Sequence, residues 1–268
     1  MEKFGNPALI HQLSPMISQK RGWIKFVLVE LVLLLLILIV ARPQVGSKIA
    51  TNKEREGIET IIALDISNSM LAEDVAPSRL EKSKLLVENL MNKFSEDKIG
   101  LIVFAGDAFV QLPITSDYVS AKMFLDNINP SLIGTQGTDI GKALQLSMNS
   151  FTTNSKVGKA IILITDGEDN EGGAEEMAKQ AQSKGIKVFI LGVGSKEGGT
   201  IPMPDGSELK KSNGEVVKTC LNEEMCKQIA TAGHGVYLHV TNSSTADAVL
   251  SRELNKLQKG KIKTLIPL

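Results

Sequence analysis

Cysteine, histidine and aromatic residues are scarce in this chain, and neither sign of charge dominates it. Its 268 residues include 2 Cys, 3 His, 1 Trp and 2 Tyr, with 30 Lys+Arg against 30 Asp+Glu. Two cysteines cannot build a disulfide framework. Cys220 and Cys226 also lack the spacing of a metal-ligand pair, so they read as two thiols on or near a helix, with a bridge open to them only if that helix begins between them. His11, His234 and His239 are scattered and joined by no cysteine or carboxylate cluster, so they read as structural and zinc is disfavoured. A formal net charge of +0 leaves no global field pointing to nucleic acid. The local basic clusters lack the interleaved aromatics on which bases stack, and no nucleic-acid partner is expected.

What the sequence does contain is one long apolar run. Residues 24–41, IKFVLVELVLLLLILIVA, hold one Lys and one Glu among sixteen apolar residues, close to the roughly 20 needed to span a bilayer. Lys20, Arg21 and Lys25 gather at one end with Trp23 at the expected interface, and Arg42 and Pro43 close the other. The run is long and starts late, and no small-residue cleavage site follows VARPQ, so it reads as a membrane anchor rather than a cleaved signal peptide. Two readings of Glu30 stand: a functional or partner contact inside the membrane, or a carboxylate at headgroup depth near Lys25. Basic residues flank both ends, so charge does not fix the orientation.

From residue 58 onward, short apolar runs alternate with amphipathic stretches. Strands are predicted at 59–66 (ETIIALDI), 99–105 (IGLIVFA), 160–165 (AIILIT), 187–193 (KVFILGV) and 236–240 (VYLHV). Several are nearly continuous in Val, Ile and Leu, as strands buried on both faces are. Helices are predicted at 79–95, 117–127, 139–151, 173–184, 222–232 and 244–258. This alternation predicts an α/β fold, an open and mostly parallel sheet with helices on both faces. Residues 197–221 break the rhythm. MPDGSEL and SNGEVV both carry hairpin turn signals there, predicting a surface hairpin insertion. Ser78 followed by Glu81 reads as a capping box, and FAGDAF at 104–109 as a turn between two strands, with Asp107 a turn residue.

In an open α/β sheet, ligands bind outside the carboxyl ends of the strands. That rule explains LDISNSM at 64–70, which sets Asp65, Ser67 and Ser69 at alternate positions after an apolar run. Asp166 ends the 160–165 strand in LITDGEDN, and Thr138 opens a helix after the Gly-rich loop of IGTQGTDIGKAL. All five are expected on one edge of the sheet. Two carboxylates and three hydroxyls form an all-oxygen set suited to a hard divalent cation, Mg²⁺ first, with Mn²⁺ or Ca²⁺ as substitutes. The competing reading has Asp65 and Ser67 capping a turn. Serine nucleophiles are disfavoured, since no G-x-S-x-G elbow or histidine base accompanies them.

D-x-S-x-S after the first strand, a Thr in a Gly-rich loop and TDG after a later strand resemble the von Willebrand factor A domain and its metal-ion-dependent adhesion site. The resemblance covers roughly 58–258. It implies Ser67, Ser69 and Thr138 as direct ligands, Asp65 and Asp166 acting largely through waters, and an open position that a partner's acidic side chain completes. Asn68, Met70, Gly137, Asp139, Gly167 and Glu168 are the expected partner contacts. SNSMLAEDVAPSRLEKSK, the span ending in ARPQ and the earlier KFGNPALIHQL narrow the likeness to the Bat membrane proteins of aerotolerance, BatB-type. This implies an inner-membrane protein with the A domain in the periplasm, other Bat-type proteins as partners and association with a MoxR-type AAA+ ATPase. Bat proteins often carry a further span at each end, absent from these 268 residues.

The expected organisation is a juxtamembrane segment (1–22), a transmembrane helix (23–42), a linker (43–57), the von Willebrand factor A domain (58–258) with its insertion near 197–221, and a tail (259–268). The expected function is non-enzymatic binding of an acidic partner through the cation. Two alternatives remain: a membrane scaffold with partners bound away from the metal, and a Mg²⁺-dependent phosphohydrolase built on Asp65. The phosphohydrolase is weakened by Ser67 standing where a second acid is needed. Glu168, Asp169 and Glu171 read either as a solvated acidic loop or as groups that tune the cation.

Overall fold

The computed structural model describes residues 19–41, 55–94, 97–153, 157–203, 205–240, 243–257 and 260–262. The segment 1–18 with His11, most of the expected linker and the end of the tail lie outside the described residues. The chain divides into two units, Met1–Thr51 and Asn52–Leu268.

In the first unit the described part is one helix, α1 (Gln19–Ala41). Leu, Val and Ile cover all its faces, and Lys20–Ala41 is long and apolar enough to cross a membrane by length and composition.

In the second unit the elements follow in the order β1 (Arg55–Gly57), β2 (Glu59–Asp65), α2 (Arg79–Lys93), β3 (Lys98–Phe104), β4 (Ala108–Thr115), α3 (Tyr118–Asp126), α4 (Ile140–Ser150) and β5 (Lys159–Thr165). They continue with α5 (Ala174–Ser183), β6 (Ile186–Gly192), β7 (Gly199–Thr200), β8 (Lys218–Thr219), α6 (Glu223–Ala232), β9 (Tyr237–His239), α7 (Ser243–Leu254) and β10 (Gly260–Ile262). The main sheet runs β4-β3-β2-β5-β6-β9. Its pairs are parallel except β3–β4, which is antiparallel.

Successive side chains of a strand point to opposite faces, and β2 uses both for core. Ile62 and Leu64 join one apolar cluster with Leu86 and Leu90 of α2, Ala121 and Leu125 of α3, and Leu250 of α7. Ile61 and Ala63 join a second with Ala143 and Leu144 of α4, Ala178 of α5, and Ile229 of α6. Burial on both faces is why these strands read as unbroken apolar runs.

The differences from the sequence expectation lie at edges. β2 ends at Asp65 and β9 spans only Tyr237–His239. The strand after FAGDAF is the antiparallel edge strand β4 (AFVQLPIT), where Phe109 and Val110 are exposed and Pro113 interrupts the pattern, so it lacks the signature of a doubly buried strand. The two-stranded pair β1–β10 carries no strand pattern at all. Only half of the capping box forms. The Glu81 amide donates to Ser78 Oγ at 3.2 Å, while the Glu81 carboxylate pairs with Lys84 at 2.9 Å. The insertion is two successive hairpins, closed at the base by the β7–β8 pair. Met203 N donates to Ser207 O at 2.7 Å and Lys211 N to Glu215 O at 2.8 Å.

Candidate metal centre

The chain departs from β2 toward β3 on one side, and its neighbour on the other side is β5. The strand order therefore reverses between β2 and β5, leaving a crevice at their carboxyl ends. Asp65 closes β2, and Thr165 and Asp166 lie at the end of β5. Asp65 is fully buried; its Oδ1 accepts from Ser67 N at 2.9 Å and its Oδ2 from Thr165 Oγ1 at 2.6 Å. The first bond folds the chain back, so that Ser67 opens a 3₁₀ turn, Asn68–Leu71.

Ser67 stands at the cap position of that turn, yet its hydroxyl makes no capping bond. It faces Ser69 instead, with the two Oγ atoms 3.0 Å apart. The capping reading therefore holds for Asp65 alone. Both serines are almost buried, at 5% and 7% exposure.

Thr138, 2% exposed, is fixed by a reciprocal clamp. Its N–H donates to Asn170 Oδ1 at 3.0 Å, and Asn170 N–H donates to Thr138 O at 2.9 Å. Asn68 Nδ2 also donates to Gln136 Oε1. The 133–138 loop is thus tied to both the serine turn and the Asp166 loop, and the five predicted donors belong to three mutually bonded loops at one sheet edge.

Asp166 accepts Arg79 Nη1 at Oδ2, 2.8 Å away, and Glu168 N at Oδ1, 3.1 Å away. Burial pushes the Asp65 carboxyl up to about 7, and the charge of Asp166 adds to the shift, against hydrogen bonds from Thr165 and Ser67. Asp166 is raised too, chiefly by burial; Ser69, Arg79 and the Glu168 amide oppose it. Two buried carboxylates beside each other favour any bound positive charge, a proton or a cation. Among the described residues no three His, Cys, Asp or Glu side chains gather as a metal-holding group. Any cation held there would take hydroxyls into its donor set, and such all-oxygen chemistry fits a hard dication.

The expected partner contacts divide. Asn68, Gly137 and Glu168 lie at the partly accessible rim. Met70 does not, being fully buried in the core because the 3₁₀ turn rotates it inward beneath the serines. Asp139 is the N-cap of α4, accepting Lys142 N at 2.8 Å. Gly167 is buried against the start of α6, where a Cβ would stand 2.6 Å from both Asn222 O and Cys226 Sγ. Cys226 lies beneath the loop, and burial pushes its thiol up to about 12, which favours the protonated, unreactive form. Both cysteines are free. Asp169 is not a solvated acid: its carboxylate oxygens are buried without a closed hydrogen bond, facing the amides of Ile140, Gly172 and Ala174 at the starts of α4 and α5.

Sequence reasoning missed Arg79, Thr165, Asn170, Asp74 and Thr219. Arg79 falls in SRLEKSK, where the helix-start pattern accounts for every neighbour. Its only signal was an arginine on the first turn of a helix leaving the serine loop.

The sequence model of the von Willebrand factor type A domain matches residues 60–168, a span holding all five candidate donors. A crystal structure of conserved hypothetical protein BatB from Bacteroides thetaiotaomicron is 57% identical, covering 75% of this chain and 98% of its own, with a TM-score of 0.73. This chain belongs to the BatB-type von Willebrand factor A family. An aerotolerance-related membrane protein from Bacteroides fragilis gives 55% identity over 75% of this chain and 100% of its own, with a TM-score of 0.73. An uncharacterized protein of Borreliella burgdorferi is 33% identical over 144 residues, 53% of this chain and 42% of that protein's length. The BatB-type likeness bears out the open, mostly parallel α/β sheet expected from the alternation of strands and helices.

Proposed function

We propose that this chain is a membrane-anchored binding module that holds a divalent cation, Mg²⁺ first, at Asp65, Ser67, Ser69, Thr138 and Asp166, and through it grips an acidic side chain of a protein partner. The observation that carries this reading is the pair of hydroxyls, Ser67 and Ser69, 3.0 Å apart beside two buried carboxylates at the switch point of the sheet. Ser67, Ser69 and Thr138 would hold the ion by their hydroxyls. Asp65 and Asp166, whose four oxygens each already accept a hydrogen bond, supply charge from behind. When bound, the dication supplies the positive charge that draws a partner's carboxylate.

The same commitments disfavour hydrolysis. Each oxygen of Asp65 already accepts a hydrogen bond inside the cradle, which weakens it as a nucleophile toward a phosphoester. We extend the proposal to an inner-membrane anchor, an A domain in the periplasm, and assembly with other Bat-type proteins and a MoxR-type AAA+ ATPase, a reading supported by the resemblance to Bat proteins alone.

The test is calorimetric titration of Mg²⁺ and Mn²⁺ into the full chain in lipid nanodiscs, beside a Ser67→Ala, Ser69→Ala variant with an unchanged circular dichroism spectrum. The expected result is saturable binding by the native chain and at least about a tenfold weaker Kd for the variant, or about 1.4 kcal/mol. Equal affinity in both would remove the serines from the site and end this reading.

A further inference from the structure

Arg79 is the one cation in hydrogen-bonding contact with the cradle among the described side chains, and it is completely buried. A guanidinium has five N–H donors, and here each has its own acceptor. Nε reaches Asp74 Oδ1 at 2.8 Å and Nη2 reaches Asp74 Oδ2 at 2.8 Å. Nη1 reaches Asp166 Oδ2 at 2.8 Å and Thr219 Oγ1 at 3.1 Å, and Nη2 also reaches Thr219 O at 3.1 Å. Gly194, at φ 133°, keeps this room open, because a Cβ there would meet Arg79 Nε at 2.9 Å. Nothing in binding an acidic partner calls for a buried arginine behind the site.

Building on the cation-binding reading, we propose that Arg79 is a positioning residue, a resident counter-ion that holds the cradle in shape without metal and keeps its cation affinity low. Its charge faces the same carboxylate that a dication would use. The two positive charges compete for Asp166, and in a buried setting such repulsion is poorly screened. Asp74 sets how strongly Arg79 competes, because its bidentate grip offsets the guanidinium charge from the side away from Asp166. A cation held in this way exchanges readily, which suits an adhesion contact that must open again.

A merely structural role predicts that any damage to Arg79 loosens the site and weakens binding. The counter-ion role predicts the opposite sign. The experiment titrates Mn²⁺ into the full chain in nanodiscs, comparing native protein with Asp74→Asn, with the pair Arg79→Met and Asp74→Asn, and with Arg79→Lys and Asp74→Asn. Thermal melts with and without Mn²⁺ accompany each. Asp74→Asn, which frees the full charge of Arg79, is expected to weaken Mn²⁺ at least about threefold. The methionine pair is expected to bind at least about threefold more tightly than native protein, with a lower Tm in the metal-free state that Mn²⁺ restores. The lysine pair should return the affinity toward that of Asp74→Asn.

A folded methionine pair that binds no more tightly than native protein overturns the proposal. If that pair does not fold, Asp74→Asn decides, and unchanged or tighter binding overturns it. Absence of saturable Mn²⁺ binding by native protein ends the cation reading itself and this proposal with it, an outcome distinct from native binding with the wrong sign in the variants.

Discussion

Asp65 serves two ends that pull its ionisation in opposite directions. As a turn-former it accepts two hydrogen bonds, from Ser67 N and Thr165 Oγ1, which favour the charged form. As half of a buried acidic pair it resists that charge, and the resistance wins, since its carboxyl is pushed up to about 7. A carboxyl whose pKa is higher folded than unfolded binds more protons in the native state. It therefore stabilises the fold below its unfolded pKa, and that contribution is lost as pH rises through the folded value. In metal-free protein, stability is expected to fall between about pH 4 and pH 7, with a slope near 1.4 kcal/mol per pH unit for one proton. Asp65→Asn should make the fall shallower, leaving what the raised Asp166 carboxyl contributes. Urea midpoints across that range, with chelator present, check this; an equally steep fall in the asparagine variant would assign it to other groups. The five cradle donors were legible because four sit within a few positions of a strand end and Thr138 stands in a Gly-rich loop just before a helix. Arg79 and Thr219 were not, because their bond joins residues 140 positions apart and no local pattern records such a pairing.

At the scale of elements, doubly buried strands announced themselves and edges did not. β2, β5 and β6 are Val- and Ile-rich because both faces pack against helices, and that composition survives in the sequence. β4 is apolar in sequence but its side chains are mostly exposed or half-buried and Pro113 interrupts it, while the β1–β10 pair is held by backbone pairing with few apolar side chains to mark it. The helix starts were well marked, for Asp139 and Asn222 cap α4 and α6 with their own side chains. What the pattern could not tell is how closely α6 approaches the metal loop. Gly167 sits at φ 77° with no space for a methyl group. Gly167→Ala is expected to combine backbone strain of about 1–3 kcal/mol with displacement of the neighbouring Asp166. The melting temperature should drop by several degrees, about 2–4 °C per kcal/mol in a domain of this size, and Mn²⁺ affinity should fall with it. An alanine variant with native Tm and native affinity would mean that α6 yields and that the loop is not held by this contact.

At the scale of the whole molecule, a chain of balanced charge couples an α/β domain to an apolar helix, the one helix among the described residues long and apolar enough to cross a membrane. With 30 basic and 30 acidic residues, the chain has no net field to carry it to an anionic surface. Among the described residues, Lys20–Ala41 is the helix able to hold it at a membrane by length and composition. About 20 apolar residues in a helix bury enough hydrocarbon to make insertion effectively irreversible, whereas an interfacial helix needs a polar face, and α1 has none beyond its first turns and Glu30. Expressed in a Gram-negative host, the full chain is expected to stay with the membrane through alkaline carbonate extraction, and a chain lacking residues 19–41 to be released. Protease added to intact spheroplasts should digest the domain if it faces the periplasm; digestion only in inverted vesicles would put it on the cytoplasmic side. That difference has a chemical consequence for the cradle. Free Mg²⁺ and competing anions differ on the two sides of a membrane, so the side on which the domain lies sets the cation concentration at which the proposed counter-charge of Arg79 would act.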